Sequence, residues 1–317
     1  MAQERKLVSI VVPFFNEGEG VEYFYQAICT IFDQVPDYSF EVVCVDDGSH
    51  DDTLNKLIDI VGLDPRFRVI EFSRNFGKEA ALTAGINAAK GDAVIPFDAD
   101  LQDPPELIPT LITEWQQGAD VVLARRVDRS VDSFLKRKTA GMFYRFHNLI
   151  SSVKIPENVG DFRLMNRAVV DALNQLPERQ RFMKGLFAWV GFKTAVVDYT
   201  RNSRAVGTTK FSGWKLWNFA LEGFTSFSTT PLKVWFYIGG VGALLTFFYA
   251  TFIILRTLIY GVDIPGYASL LVAVLFFGSL QLISVGMLGE YMGRIYMETK
   301  QRPLYVVRAR YEDKNEP

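Results

Sequence analysis

Two aspartates, Asp98 and Asp100, stand two positions apart directly after an apolar run of the chain. On an extended segment the side chains of residues i and i+2 point to the same side, so the two carboxylates would lie close together. Two anions held so close repel each other unless a cation lies between them, and hard oxygen ligands of this kind suit Mg²⁺ or Mn²⁺. A helix N-cap is the structural alternative, but Asp103, directly before two prolines, already fills that position. We therefore predict that Asp98 and Asp100 bind a divalent metal ion.

Two further polar clusters follow apolar runs earlier in the chain, at residues 13–17 and 46–49. If the apolar runs are parallel strands, these clusters and the Asp98 segment lie together at the carboxyl edge of the sheet, where ligands bind. The chain has no Gly-x-Gly-x-x-Gly after its first apolar run and no Gly-Lys-Ser or Gly-Lys-Thr loop. The sequence therefore gives no support to a dinucleotide-dependent dehydrogenase or a P-loop NTPase.

The elements that would position these clusters alternate between short apolar runs and segments with helical periodicity. The runs that predict strands are residues 7–12, 40–45, 68–72, 93–97 and 120–124. The segments that predict helices are residues 20–34, 52–62, 79–90 and 105–117. Strands that are apolar on both faces are typical of a parallel sheet covered by helices on both sides. We predict an α/β, Rossmann-like domain with a mostly parallel sheet.

Length and composition exclude several classes of protein. The 317 residues exceed one typical domain, and 49% hydrophobic residues exclude a disordered chain. The net charge of −2, from 34 basic and 36 acidic residues, gives no overall electrostatic basis for binding nucleic acid. The only cysteines, Cys29 and Cys44, are too few for a disulfide framework or a thiolate metal cage, so we interpret both as buried apolar residues.

Two long apolar segments near the C-terminus predict a transmembrane hairpin. Residues 234–255 and 264–289 contain 22 and 26 residues without a charged side chain, and each segment is long enough to cross the hydrocarbon layer. The connection carries only Arg256 as a basic residue, whereas several lysines and arginines precede the first segment and follow the second. By the positive-inside rule we predict a multi-pass protein of the cell (inner) membrane with its N-terminal part in the cytoplasm. Two buried helices of a soluble protein are the alternative interpretation.

Two stretches with apolar faces predict contact with the membrane surface. Residues 134–150 interleave lysines and arginines with apolar side chains, and residues 211–227 place tryptophans and other apolar side chains on one helical face. An ordinary surface or core helix is the alternative for each stretch. The predicted division of the chain is a cytoplasmic α/β domain (1–210), a juxtamembrane amphipathic segment (211–232), two transmembrane helices (233–290) and a cytoplasmic tail (291–317).

The order and spacing of the motifs are more specific than any single motif. The motifs are VPFFNE at 12–17, VDDGS at 45–49, NFGK at 75–78, DADLQDPPE at 98–106 and GDFRL at 160–164. With them the chain resembles the family 2 glycosyltransferases, which have the GT-A fold, and within that family the polyprenyl-phosphate glycosyltransferases. The resemblance covers nearly the whole chain. It implies a GT-A catalytic domain that transfers a sugar from a nucleotide sugar to a membrane polyprenyl phosphate.

The resemblance also implies roles for residues of the donor site. The residues implied to hold the nucleotide base and ribose are Pro13, Asn16, Glu17 and Asp46, with Asp47 and Lys78 close by. The residues implied to surround the metal that bridges the diphosphate are Asp98, Asp100 and Gln102. This agrees with the carboxylate spacing, because a divalent cation, Mg²⁺ or Mn²⁺, stabilises the negative charge that develops on a leaving nucleoside diphosphate.

Basic residues are expected to bind the acceptor phosphate, because a guanidinium group matches phosphate oxygens. The residues that we assign to this role are Arg125, Arg126, Arg137, Arg204 and Lys210. The first two follow the fifth predicted strand, at positions that lie near the acceptor phosphate in the family. The last two belong to a segment that resembles the family pattern Arg-x-x-Gly-x-Ser-Lys-Tyr, with Thr209 and Phe211 in place of Ser and Tyr.

Asp161, in the GDFRL motif, is the candidate for the general base that glycosyltransferases use on hydroxyl acceptors. A lipid phosphate differs, because its second pKa of about 6 leaves it largely dianionic and already nucleophilic at neutral pH. We therefore predict that Asp161 is catalytic, alongside Asp98 and Asp100, by positioning the sugar or neighbouring cations without removing a proton. A turn residue before a strand is the structural alternative.

We expect an inverting transfer of a hexose, with UDP-glucose as the expected donor, onto a polyprenyl phosphate at the cytoplasmic face of the membrane. The partners are then the nucleotide sugar, the polyprenyl phosphate and the lipid bilayer, without nucleic acid, and a homo-oligomer is allowed. One alternative is a processive polysaccharide synthase, although the Gln-x-x-Arg-Trp motif typical of those enzymes is absent from the sequence. The other is a catalytically silent membrane sensor of nucleotide sugars, which would have no need of three acidic clusters.

Overall fold

The computed structural model describes residues 5–127, residues 158–200 apart from 180 and 182, single positions between 239 and 260, and residues 266–312. The strands are β1 (Leu7–Phe14), β2 (Ser39–Asp46), β3 (Phe67–Phe72), β4 (Ala93–Pro96), β5 (Val121–Arg126), β6 (Val159–Asn166), β7 (Thr194–Tyr199) and β8 (Val307–Tyr311). They form one eight-stranded sheet in the order β7-β5-β6-β4-β1-β2-β3-β8. Only β6 and β8, among the described strands, run against the common direction. The predicted α/β fold with a mostly parallel sheet is therefore confirmed.

The described helices follow the alternation that the sequence predicts. They are α1 (Val21–Gln34), α2 (Thr53–Leu63), α3 (Lys78–Ala88), α4 (Ile108–Gln116), α5 (Arg167–Asn174), α6 (Met183–Trp189) and α7 (Tyr267–Thr299). A short 3-10 turn, Pro105–Leu107, precedes α4 because two prolines set the backbone there. All the predicted strands and helices of the first 126 residues are present, with ends that differ by a few residues.

Two apolar cores lie on the two faces of the sheet. Helices α1, α2 and α4 cover one face, and α3, α5 and α6 cover the other. Helix α3 lies close to the sheet because several of its buried residues are small: a Cβ atom at Gly85 would clash with the side chain of Val11 on β1. This close packing fixes the first residue of α3, Lys78, near the edge at which the parallel strands end.

Three described strands lie outside the predicted alternation. Strand β6 inserts antiparallel between β4 and β5, and β7 extends the sheet beside β5. Strand β8 pairs antiparallel with β3, where the Tyr311 hydroxyl donates to Glu71 at 2.9 Å and Arg308 lies 3.2 Å from the same carboxylate. Residues 291–317, which the sequence analysis treats as a tail, thus contain the end of α7 and an edge strand of the sheet.

The structure describes part of the two predicted membrane segments. Of the first apolar segment only single positions are described, and the second overlaps α7, which has 33 residues. In the described part of the chain, no helix combines the length and the apolarity that a membrane crossing requires. The transmembrane hairpin therefore stays a prediction. The amphipathic stretches at 134–150 and 211–232 lie outside the described residues.

Candidate active site

The predicted acidic clusters meet at one edge of the sheet, as the parallel order of β1, β2 and β4 requires. Asp46 is the last residue of β2, and Asp98 follows the end of β4 by two residues. Strand β6 runs the other way, so its beginning, with Asp161, reaches the same edge beside β4. The edge thus carries carboxylates from β6 and its neighbour β4, and from β2 on the far side of β1.

Lys78 connects two of these carboxylates. Its ammonium nitrogen lies 2.6 Å from Oδ1 of Asp98 and 2.8 Å from Oδ2 of Asp161. Partial burial opposes the charge on Lys78, but the carboxylates of Asp161 and Asp98 outweigh it and raise the pKa of the lysine above its usual range. Burial likewise opposes the charge on Asp161, but nearby cations, Lys78 first and then Lys184, lower the pKa of this carboxyl. Lys78 and Asp161 therefore both carry their charge at neutral pH.

Asp47 holds the loop that leads into Lys78. Its buried carboxylate accepts hydrogen bonds from the backbone amides of Phe76 (2.6 Å) and Gly77 (2.9 Å) and from the side-chain amide of Asn75 (2.9 Å). Gly77, directly before α3, has a φ of 97°, a conformation that favours glycine. Burial raises the pKa of Asp47 even though these backbone bonds act in the opposite direction. The side chain of Asp47, a residue predicted to lie close to the nucleotide, thus binds the loop that leads into Lys78.

Asp46 differs from its neighbour because one of its oxygens has no partner. Oδ2 accepts a 3.2 Å hydrogen bond from the backbone amide of Ser49, whereas Oδ1 is buried and no described group donates to it. Burial raises the pKa of Asp46. A buried acceptor without a donor is costly, so Asp46 is fit to receive a hydroxyl or N–H group from a ligand.

The polar segment after β1 is tied to the segment after β2. The side-chain oxygen of Asn16 accepts a 2.8 Å hydrogen bond from the backbone amide of His50. The backbone amide of Asn16 donates to the Ser49 hydroxyl at 3.0 Å. The backbone amide of Glu17 donates to Thr53 at 3.0 Å. Pro13 lies within β1, where its register partner is Val45. Asn16 and Glu17 are thus brought to the same edge as Asp46, and their polar groups bind residues 49, 50 and 53.

The predicted metal ligands lie on the turn after β4. Leu101 has a φ of 53°, and this left-handed residue lets the backbone amide of Gln102 donate to Oδ1 of Asp100 at 3.2 Å. Among the described residues, no group of three or more His, Cys, Asp or Glu side chains is placed to hold a metal ion. Two carboxylates and an amide oxygen are hard ligands that fit Mg²⁺ or Mn²⁺, and such ions commonly take their remaining ligands from water and substrate phosphates.

Of the predicted acceptor residues, only Arg125 and Arg126 lie among the described residues. Arg125 forms a bidentate pair with Asp198 of β7, with Nε–Oδ1 and Nη2–Oδ2 distances of 2.6 and 2.9 Å. Arg126 is the last residue of β5 and is half-buried. The remaining three, Arg137, Arg204 and Lys210, lie outside the described residues.

Sequence reasoning missed two charged residues beside this site. Arg163 is buried, donates to the Gly160 carbonyl at 2.6 Å and lies 4.0 Å from the centre of the Phe187 ring; burial lowers its pKa to about 10. Glu79 accepts a 3.1 Å hydrogen bond from the Met183 amide, and burial, with the charge of Asp161, raises its pKa to about 7. Arg163 could have been noticed within the GDFRL motif, whereas nothing in the sequence signals that Glu79 is enclosed by α6.

Comparisons with known proteins identify glycosyltransferases as relatives. The sequence profile of the family described as "Glycosyl transferase family 2" matches residues 9–173. The "Bactoprenol glucosyl transferase" of Shigella phage SfX is 54% identical over 303 residues, which are 96% of this chain and 99% of that protein. The "Prophage bactoprenol glucosyl transferase homolog" of Escherichia coli (strain K12) is also 54% identical, over 95% of this chain and 98% of that protein. A Synechocystis sp. glycosyltransferase is 52% identical, over 95% of this chain and 94% of that protein.

Proposed function

The chain belongs to glycosyl transferase family 2 and is a glycosyltransferase with a GT-A-like fold, and we propose that it transfers glucose from UDP-glucose to a membrane polyprenyl phosphate. The relatives named bactoprenol glucosyl transferase support both the lipid acceptor and the sugar, because the similarity extends over at least 95% of this chain. The observation that carries the proposal is the acidic edge of the sheet, where Lys78 joins Asp98 to Asp161.

We assign the donor site to the edge formed by β1, β2 and β4. The buried Oδ1 of Asp46, which accepts from no described group, would receive a hydrogen bond from the nucleoside. Pro13, Asn16 and Glu17 would form the neighbouring wall of this site. Asp47 would act at a distance, by fixing the loop before Lys78.

We assign a divalent cation, Mg²⁺ or Mn²⁺, to Asp98, Asp100 and Gln102. When bound, such a cation offsets the negative charge that develops on the leaving nucleoside diphosphate. The donor set fits it, because the turn at Leu101 keeps Asp100 and Gln102 adjacent and all three side chains offer oxygen atoms.

We infer that Asp161 positions groups and does not remove a proton. Its carboxylate is paired with Lys78, and the nearby cations lower its pKa, which makes it a weak proton acceptor. A lipid phosphate needs no base, because it is largely a dianion at neutral pH. The phosphate oxygen would then displace the nucleoside diphosphate in one step, with inversion at the anomeric carbon. Arg125, Arg126, Arg137, Arg204 and Lys210 would attract and place the acceptor phosphate.

We also propose the transmembrane hairpin, with residues 1–210 and 291–317 in the cytoplasm and residues 211–232 at the membrane surface. Large apolar side chains on α7 support it, because an apolar surface of this extent requires a lipid or protein neighbour. Those more than half exposed include Leu282, Ile283, Val285, Leu288 and Met292. A cysteine in place of Asp263 should react with an impermeant thiol reagent only from the side opposite the catalytic domain.

The activity is tested by incubating the purified chain with a polyprenyl phosphate, Mn²⁺ and a panel of nucleotide sugars. We expect one sugar-phosphate lipid product with UDP-glucose, in which the anomeric configuration is opposite to that of the donor. Release of a polymer would instead indicate a processive synthase, and binding of nucleotide sugar without any transfer would indicate a sensor. For Asp161, a pH profile distinguishes the roles: Asp161→Asn should lower the rate at every pH without removing an ionisation from the profile.

A further inference from the structure

We propose that Lys78 is the resident cation of the metal site, and that a divalent ion must displace its ammonium group from Asp98 in order to bind. This inference rests on the proposed function, because it takes Asp98 as a metal ligand. It adds a competition within the chain itself: Lys78 and the metal ion bind the same carboxylate.

The contacts of Lys78 are those of a bridging cation. Its ammonium group lies within 2.8 Å of both Asp98 and Asp161, and the side chains of these aspartates are 26% and 14% exposed. Two carboxylates that both lie within 2.8 Å of one nitrogen atom repel each other unless a positive charge lies between them. Among the residues that the structure describes, Lys78 is the only cation paired with Asp98. The ammonium group therefore supplies the charge that a metal ion would otherwise supply.

The backbone of Lys78 is fixed, but its side chain is flexible, so the ammonium group can move away from Asp98. Lys78 is the first residue of α3, and the preceding loop is fixed by the three hydrogen bonds to Asp47. Its side chain is 44% exposed and has four flexible carbon–carbon bonds, so the ammonium group can move several ångströms without any change in the fold. An arginine would hold both carboxylates more rigidly through its planar fork.

Asp161 determines where the displaced ammonium group goes. When the Asp98 carboxylate binds a divalent ion, Lys78 can keep its 2.8 Å contact with Asp161. Lys184 adds a second positive charge near the Asp161 carboxylate. The ammonium group then lies beside the metal site and can meet an incoming diphosphate. Metal binding without donor is consequently weakened by the competition, and donor binding reduces the penalty. Metal ion and nucleotide sugar should therefore bind with positive coupling.

The experiment measures Mn²⁺ affinity of the whole purified chain in the absence of donor, by the loss of the free Mn²⁺ signal in electron paramagnetic resonance. Lys78→Gln removes the competing charge and should bind Mn²⁺ about tenfold more tightly than the wild type. Lys56→Gln is the matched control, because Lys56 donates to the Gly18 carbonyl at 2.8 Å and contacts neither aspartate. It should change the affinity by less than about twofold, since screening weakens distant charges. Lys78→Arg, which keeps the cation, should bind no more tightly than the wild type.

Thermal melting gives a second measurement that does not depend on turnover. Without metal, Lys78→Gln should melt at a lower temperature than the wild type, because Asp98 and Asp161 then face each other without a cation. Added Mn²⁺ should raise its melting temperature more than that of the wild type. A melting profile that Mn²⁺ shifts equally in both proteins would contradict the proposal.

Asp100→Ala separates this inference from the proposed metal site. If Asp100→Ala loses Mn²⁺ binding while Lys78→Gln binds as the wild type does or more weakly, the metal site stands and the displacement by Lys78 is wrong. If Asp100→Ala binds Mn²⁺ normally, the metal site itself is wrong, and the inference fails with it.

Discussion

The carboxylate of Asp47, after β2, accepts hydrogen bonds from three groups of one loop, whereas that of Asp98, after β4, faces the side chain of a lysine. Asp47 thus has a structural role, because its carboxylate holds the loop of residues 75–77 in place. Asp98 is balanced by a single flexible charge, and that charge can be exchanged for another. Two acidic clusters that look alike in sequence therefore have different roles. The cluster after β2 holds a loop in place, and the cluster after β4 can bind a cation.

The largest effect that this comparison predicts is on turnover at the second cluster. Asp100→Ala should reduce transfer by at least about 1,000-fold, because the diphosphate loses a ligand of its counter-cation, and should change the free energy of unfolding by less than about 1 kcal/mol. Steady-state assays and denaturant titrations measure the two quantities. Glu106→Ala removes an exposed carboxylate of the nearby 3-10 turn and should keep wild-type activity. Metal-dependent turnover in Asp100→Ala would place the cation elsewhere.

The next effect is on stability at the first cluster. Asp47→Ala leaves the amides of Phe76 and Gly77 without their acceptor, so we expect it to lower the free energy of unfolding by about 2 to 4 kcal/mol. Asp52→Ala is the control, because Asp52 is exposed and its side chain caps no helix amide. Denaturant titration of the two variants tests the difference. If Asp47→Ala and Asp52→Ala had the same free energy of unfolding, the loop before Lys78 would not depend on Asp47.

A smaller effect is the pH dependence of stability that Glu79, next to Lys78, is expected to cause. Because burial raises the pKa of Glu79 from 4.5 to about 7, the folded chain holds a proton that the unfolded chain has already released in this interval. The folded state therefore loses stability as pH rises from about 4.5 to 7, by about 1 to 3 kcal/mol from this group. Glu79→Gln should lack this loss, so its melting temperature relative to the wild type should be higher at pH 8 than at pH 5. Parallel pH curves would argue against the raised pKa.

The smallest effect is expected at the exposed pair of Arg125 and Asp198. Asp198→Asn should leave the melting temperature within about 1 °C, because exposed ion pairs contribute little to stability. It should lower the KM for the lipid phosphate by about twofold, since Arg125 loses a competing carboxylate. Arg125→Gln should instead raise that KM. A large loss of stability in Asp198→Asn would mean that this pair has the structural role here given to Asp47.

The sequence predicted the fold well where local pattern is sufficient. Short runs rich in valine, such as residues 40–45, favour buried strands, and β2 confirms this interpretation. Strand β8 was missed because its alternation of Val, Arg, Ala, Arg and Tyr is that of an edge strand, whose partner β3 lies more than 200 residues earlier.

The site could be predicted as a set of residues but not as a set of roles. The predicted parallel strands placed Asp46, Asp47 and Asp98 at one edge of the sheet, and the structure confirms this. It adds Asp161, which reaches the edge because β6 runs antiparallel to β4. The function of each depends on partners distant in sequence, such as Phe76 for Asp47, 29 residues away. No local pattern distinguishes a carboxylate that is saturated by backbone amides from one that is open to a cation.

The pairing of β8 with β3 has a consequence for how the chain is made. Until residue 307 leaves the ribosome, β3 has an open hydrogen-bonding edge, although the rest of its sheet is already complete. Open edges invite pairing with other chains, and domains fold as they emerge. The stacking of Tyr305 on Phe72, at 4.9 Å, and the bond from the Ser73 amide to the Val306 carbonyl then form last. Synthesis of residues 307–311 thus closes the sheet directly beside the loop that leads to Lys78, so a nascent chain acquires this closed edge only when α7 has also been made.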